Sequence, residues 1–350
     1  MSKFDPLFLA KSAWQMKIKK RPVTISHSVN SGCNLRCVFC DEWKKNLKSG
    51  GESSQKDSSF EEICKIIDLA SDFGIGSYNA WSTEPLLRKD LPEIIKYAKS
   101  KGMKTFFITN GLLLKKRLND LCDVDYISVS VDGPTATREI RGADYDLILD
   151  GITAASESGQ LTNPLLMNCV ISRKNLDEVS DLLAFAKNLG NVKMAVEPLY
   201  VFKRIGETDW DDLTLGPDEQ EKFKNLMNEL IRFKKQGYPL INSQTYLKQI
   251  RDGKPIRNCR VDRGILAVDH LNNLYNCRIH NGLLGNVLEQ SVFDENGKII
   301  QNGIEKVWNQ TKKERKNMIQ KCEGCQFFGY AELTLMNNYN LESFYGYDWL

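Results

Sequence analysis

From Val23 to Pro198, short apolar runs alternate with stretches of helical periodicity. Residues 23–28 read as a strand. Residues 60–73 put Phe60, Ile63, Ile66, Ile67 and Ala70 on one helical face, behind Ser58 and Ser59 as N-caps. Residues 78–81 form a short strand, and 91–101 a helix stopped by Gly102. Strands follow at 105–109, 126–131, 165–171 and 192–197, with helices at 114–122, 145–158 and 176–189 between them. Six strands, the first five each followed by a helix, predict a parallel sheet. Right-handed crossovers curl such units into an open barrel or lay them out as a doubly wound sheet. In both, the loops after the strand C-termini carry the chemistry.

The remaining pattern divides the chain. Residues 1–22 are a lead-in, with one helix at 7–16. Residues 48–59, rich in Ser, Gly and Lys, read as a mobile loop. Gly216-Pro217 opens a helix over 218–235. After Asn258 the chain turns to short strands and cysteines, so a boundary falls near 240–255. The expected units are the lead-in, a core over 23–240, a small module over 255–330 and an aromatic tail over 331–350.

Lysine plus arginine total 48 against 45 acids, a balance of +3 that gives no argument for nucleic acid or membrane binding. No apolar run nears the roughly 20 residues of a membrane-spanning helix, and no secretory signal is visible. A cytoplasmic chain keeps its thiols reduced. Its ten cysteines therefore read as metal ligands or buried thiols, and seven of them fall into two groups.

The first group is Cys33-Asn34-Leu35-Arg36-Cys37-Val38-Phe39-Cys40, directly after the first strand. Three thiolates so spaced suit a loop around one inorganic centre. Cysteines ordinarily ligate all four irons of a [4Fe–4S] cluster. Three leave one iron open, where a cofactor or substrate can bind. Three cysteines on zinc is the competing reading. The octapeptide resembles the CxxxCxxC signature of the radical S-adenosylmethionine (SAM) superfamily. The resemblance implies a partial (β/α)6 TIM-like barrel, within the α/β class. It implies SAM chelated to the open iron and cleaved to a 5′-deoxyadenosyl radical, with a flavodoxin- or ferredoxin-type protein supplying electrons. Phe39 matches the position that contacts the adenine. Ser82-Thr83-Glu84-Pro85 resembles the family's Gly-Gly-Glu-Pro, where Glu84 would meet the SAM amino group, with side chains in place of both glycines. Thr109-Asn110-Gly111 resembles its T-N-G turn, placing Asn110 at the cofactor. Ser130 is a candidate ribose or methionine contact, Asn168 a candidate ribose contact, and Arg141 matches a partner for the SAM carboxylate.

The second group is Cys259, Cys277 and Cys322-Glu323-Gly324-Cys325. Four such ligands suit zinc or an iron–sulfur cluster. The surroundings resemble the SPASM/twitch module, in its shorter twitch form, which implies one auxiliary [4Fe–4S] cluster for electron transfer. Asn272 stands where that module has glycine, and asparagine tolerates the left-handed turn. Residues 304–308 match the module's helix. Cys64, Cys122 and Cys169 read as buried thiols. His27, His270 and His280 read as structural.

The short lead-in leaves no room for a leader-recognition or cobalamin domain. A small sugar- or lipid-like substrate is the expectation, with Glu197 as its polar catalytic contact in the segment 197–204. A peptide substrate is the alternative, and a non-catalytic iron–sulfur or zinc protein a third. The aromatics Phe327, Phe328, Tyr330, Tyr339, Phe344, Tyr345, Tyr347 and Trp349 read as a cap on the barrel or a pocket wall.

Overall fold

The structure, a computed structural model, describes residues 6–40, 42–43, 57–161, 163–199, 212–279, 282–340 and 342–343. Positions 44–56, 200–204, 280, 344, 345, 347 and 349 lie outside them, and with them most of the expected loop, His280 and half of the tail aromatics.

Helix α1 (Pro6–Ala13) leads into six parallel strands: β1 (Thr24–Ser28), β2 (Ser77–Trp81), β3 (Lys104–Thr109), β4 (Tyr126–Ser130), β5 (Leu165–Ile171) and β6 (Val192–Pro198). Between them run α2 (Phe60–Asp72), α3 (Leu91–Ser100), α4 (Leu114–Arg117), α5 (Tyr145–Glu157) and α6 (Val179–Leu189). Strand β5 shows the wrapping. Leu165, Met167, Cys169 and Ile171 are buried in the main apolar core, while Leu166, Asn168 and Val170 are half-buried. Alternate residues of a strand take opposite faces, so the first set meets the helices and the second lines the barrel's inside. This is the expected open (β/α)6 barrel.

Local chemistry sets the helix ends. The Ser59 hydroxyl accepts from Glu62 N–H, and the Glu62 carboxylate accepts from Ser59 N–H, a reciprocal cap worth about 1 kcal/mol. The helix expected at 114–122 breaks after Arg117 into a 3-10 turn, Leu118–Leu121. In that tighter winding residues three apart share a side, which buries both Leu118 and Leu121. Cys122, just past the turn, is exposed rather than buried, and Cys64 is half-buried. The helix expected from 176 starts at Val179, because Asn175 Nδ2 donates to Asp132 O and Val170 O and holds a turn there.

Strand β1 is not an edge. β7 (Ile265–Val268) adds parallel to it, and β8 (Asn273–Tyr275) and β9 (Leu283–Asn286) continue antiparallel, giving the order β6-β5-β4-β3-β2-β1-β7-β8-β9. Asn272, at the β7–β8 turn, has φ 67° as its sequence position required. The longer helices beyond β6 among the described residues are α7 (Pro217–Lys235), α8 (Gln244–Arg251), α9 (Gly303–Gln310), α10 (Lys312–Lys321) and α11 (Phe328–Asn337).

Helix α11 crosses the open side of the barrel. At its start Phe328 N–H donates to Glu197 Oε2 on β6 at 3.1 Å. Further along, Leu333 packs so tightly on Gly264 that a Cβ there would lie 1.9 Å from it. Thr334 Oγ1 accepts from Arg260 N–H, and Lys17 Nζ donates to Asn337 O. Glu332 is fully buried in this helix, accepting from Ser243 N–H at 2.6 Å and Ser343 Oγ at 2.7 Å.

Burial pushes the Glu332 carboxyl up to about 7. The folded state then binds this proton more tightly than the unfolded chain, so the associated stability is present at low pH and is lost as pH rises through the window from 4.5 to about 7. Urea unfolding should therefore show the wild type less stable at pH 8 than at pH 6 by about 1 kcal/mol. Glu332→Gln should flatten that difference.

Candidate active site

The loop after β1 carries Cys33, Cys37 and Cys40, the second buried and the others half-buried. Cys40 N–H donates to Cys37 O at 3.1 Å, and Val38 N–H donates to Ile140 O at 2.8 Å. Trp43 Nε1 donates to Cys37 O at 3.0 Å. Burial raises all three thiols above the usual range, Cys37 to about 11. Cys37 also feels the charges of both other thiols, while Arg141 pulls it down.

Glu84 fastens this loop to the next two strands. Its N–H donates to Gly32 O, and its O accepts from Asn30 Nδ2, both at 3.1 Å. Its carboxylate accepts from Thr109 Oγ1 at 2.8 Å, Asn110 N–H at 2.7 Å and Leu86 N–H at 3.0 Å. Burial raises this carboxyl, and the donors from Asn110, Thr109 and Leu86 oppose it. Asn110 Nδ2 in turn donates to Asn34 Oδ1 at 2.8 Å, between the first two cysteines. The side chains that replace the family's glycines fold back on the same loop: Ser82 Oγ donates to Asn30 Oδ1, and Thr83 Oγ1 to Gly32 O.

Arg141 is buried and paired with Asp132, Nε to Oδ2 at 2.5 Å and Nη2 to Oδ1 at 3.0 Å. Its guanidinium lies 5.2 Å from the centre of the Phe39 ring. Asp132 Oδ1 also accepts from Val170 N–H. Ser130 pairs with Asn168 across β4 and β5, and Asn168 Nδ2 donates to Glu197 Oε1 at 3.1 Å. Burial raises the Glu197 carboxyl. Phe39, Glu84, Asn110 and Arg141 thus gather around the cysteine loop, and Ser130, Asn168 and Glu197 form one wall inside the barrel.

Cys259, Cys277 and Cys325 are buried together with Val261, Ile279 and Tyr330, and Met318 and Ile319 of α10 pack on them. Cys325 feels the charges of Cys259, Cys277 and Cys322. Main-chain bonds in both directions join Ile256 to Cys325. The residue after Cys277, Arg278, lays its guanidinium 3.2 Å from the centre of the Trp81 ring and brings Nη2 to 3.7 Å from Glu42 Oε1. One arginine thus touches the strand before Glu84 and the segment after Cys40. Among the described residues, no three His, Cys, Asp or Glu side chains converge on a single-ion centre. Asp132, Asn34, Trp81 and Arg278 were not singled out in the sequence. For Asp132 the only signal was its place in Ser130-Val131-Asp132-Gly133-Pro134, at the end of the fourth strand.

A family model described as the radical SAM superfamily matches residues 28–186. The probable GTP 3′,8-cyclase of Methanococcus maripaludis is 30% identical over 211 residues, 59% of this chain and 68% of that protein. This chain belongs to the radical SAM superfamily. It is an enzyme. The probable GTP 3′,8-cyclase of Methanococcus vannielii is 31% identical over 175 residues, and the match spans 57% of its length, little over half. Among solved structures, Streptococcus suis SuiB bound to S-adenosylmethionine superposes with TM-score 0.58 at 14% identity, covering 77% of this chain and 64% of SuiB. Native anSMEcpe with bound AdoMet and Cp18Cys peptide superposes with TM-score 0.61 at 17% identity, covering 89% and 88%. At these identities the likeness is one of fold.

The superfamily implies a [4Fe–4S] cluster and SAM. The donor set fits that demand: three thiols in mutual electrostatic reach, on one main-chain-braced loop, at the C-terminal mouth of the barrel. Their raised pKa values mean that metal must displace protons on binding.

Glu84→Gln would set an amide N–H2 against Asn110 N–H in place of Oε2, or against Thr109 Oγ1 and Leu86 N–H in place of Oε1. It should lower unfolding free energy by roughly 2–4 kcal/mol in urea titrations. A change under 0.5 kcal/mol would show that the clamp contributes little.

Proposed function

We propose that this enzyme reductively cleaves SAM on a cluster held by Cys33, Cys37 and Cys40, and abstracts hydrogen from a small molecule bound inside the barrel. The three-thiol loop braced by Glu84 and Asn110 is the observation that carries this. A four-iron cluster with SAM on its open iron supplies a 5′-deoxyadenosyl radical when reduced. The chain's own residues bind and orient. Phe39 takes the adenine, and Ser130 and Asn168 take the ribose. Asn110 holds the loop under the cofactor. Arg141, fixed through Nε and Nη2 by Asp132, turns Nη1 to the SAM carboxylate. Glu84, its carboxylate buried and taken up by Thr109, Asn110 and Leu86, holds in place the β2 loop that would face the SAM amino group. Glu197, a buried carboxyl whose affinity for a proton is raised, is the polar contact on the barrel wall.

In this reading residues 23–240 are the radical SAM core, and 255–330 a twitch-like module. Cys259, Cys277, Cys322 and Cys325 hold a second [4Fe–4S] cluster for electron transfer, and a flavodoxin- or ferredoxin-type protein is the donor. Complete ligation by four cysteines leaves that cluster no open iron. A second reading, cyclisation of a purine nucleotide, is favoured by the identity to proteins named GTP 3′,8-cyclases. Peptide modification is the alternative with least support, from a fold likeness to a peptide-bound structure.

Anaerobic reconstitution should give about eight irons per chain, and dithionite should release 5′-deoxyadenosine from SAM. Replacing Cys33, Cys37 and Cys40 by Ala should leave about four irons and abolish the release. Replacing Cys322 and Cys325 should remove the other four, roughly. Zinc at the second group would overturn the electron-transfer role, and an electron paramagnetic resonance spectrum indifferent to SAM would overturn the first assignment.

A further inference from the structure

The two cysteine groups meet in one side chain. Arg278 follows Cys277 directly, so its main chain moves with the second group. Its N–H donates to the Tyr330 phenol oxygen, on a ring buried with Cys259, Cys277 and Cys325. Its guanidinium crosses to the other group. It lies 3.2 Å from the centre of the Trp81 ring, and Nη2 is 3.7 Å from Glu42 Oε1, on a side chain only 20% exposed. With little water to compete, the pull of an indole and of a carboxylate on this cation are both strengthened.

Both contacts fall on segments that shape the first group. Glu42 and Trp43 direct their N–H groups at the Cys40 sulfur, and Trp43 Nε1 holds Cys37 O. Trp81 ends β2 immediately before Ser82 and Thr83. Those two hydroxyls are tied to Asn30 and Gly32 of the loop that carries the cysteines. Hydrogen bonds to a ligand sulfur are one lever on an iron–sulfur potential, because they favour the more negative, reduced cluster.

We infer that Arg278 is a positioning residue through which occupancy of the second cysteine group sets the reduction potential of a cluster at the first. A metal on Cys277 fixes the root of the arginine. The guanidinium then holds Glu42, and the Glu42 N–H stays on the Cys40 sulfur. With the second group empty the root is released, that N–H leaves the sulfur, and the first cluster becomes harder to reduce. No electron has to pass between the groups for this. The inference rests on the radical SAM reading for a cluster on Cys33, Cys37 and Cys40, and deepens it by giving the second group a part in readying the first. It asks only for a metal at the second group, so zinc would serve there as iron would.

The test is a redox titration of the reconstituted enzyme followed by electron paramagnetic resonance. The first cluster is the signal that Cys33→Ala, Cys37→Ala, Cys40→Ala protein lacks. Arg278→Met should shift its one-electron equilibrium about tenfold toward the oxidised form, roughly 59 mV. Arg278→Lys keeps the charge without the planar fork, and should recover less than half of that shift. In Cys322→Ala, Cys325→Ala protein the shift should be present before Arg278 is touched, and Arg278→Met should add under about twofold. An unchanged potential in Arg278→Met would overturn the inference. So would full recovery by Arg278→Lys, or an equal effect of Arg278→Met with and without the second metal, since each marks the plain field of one charge. If Arg278→Met takes up no iron at the first group, Arg278→Lys carries the comparison in both backgrounds. A wild type with no signal from the first three cysteines would count instead against the radical SAM reading.

Discussion

The buried carboxylate of Glu84 is the constraint on which the site depends. It lies at the end of β2, yet its main chain binds the loop after β1 and its side chain binds the turn after β3. Three successive crossovers are thereby locked at the one end of the sheet where the cysteine loop emerges. A charge in so dry a place is tolerable only because donors from two main-chain N–H groups and one hydroxyl converge on it. The loop's geometry is thus inherited from the sheet, not made locally.

The two cysteine groups share a physical character. In each, burial favours the protonated thiol, at Cys37 and at Cys325, and the charges of the neighbouring thiols favour it further. A multivalent cation centre would relieve both penalties at once, so occupancy of either pocket would add stability. Arg278 is one side-chain link between them, since it follows one cysteine and stacks on the strand that leads to Glu84.

Much of this was legible in the sequence because it is local. All six barrel strands lie within a residue or two of where alternation put them, and Asn272 took the left-handed turn that its position implied. What escaped was long-range. Nothing near Ile265 says that it will pair with Thr24 rather than extend a separate sheet. The Asp132–Arg141 pair has a spacing with no helical or strand period. The tail read as a cap on the barrel or a pocket wall contains α11, buried on nearly all sides, and its place depends on β6 and the turn before β7, which the tail's own sequence does not name. The break after Arg117 was missed because Leu114, Leu118 and Leu121 suit an α-helical face equally well.

The placement of β1 between β2 and β7 has a consequence for biosynthesis. One neighbour of β1 follows within about 50 residues, but the other arrives only after about 240. At 5–20 residues per second, the ribosome leaves that flank of the strand unpaired for roughly 12–48 s. An unpaired flank beside reduced thiols is a template for misjoined chains until β7 arrives.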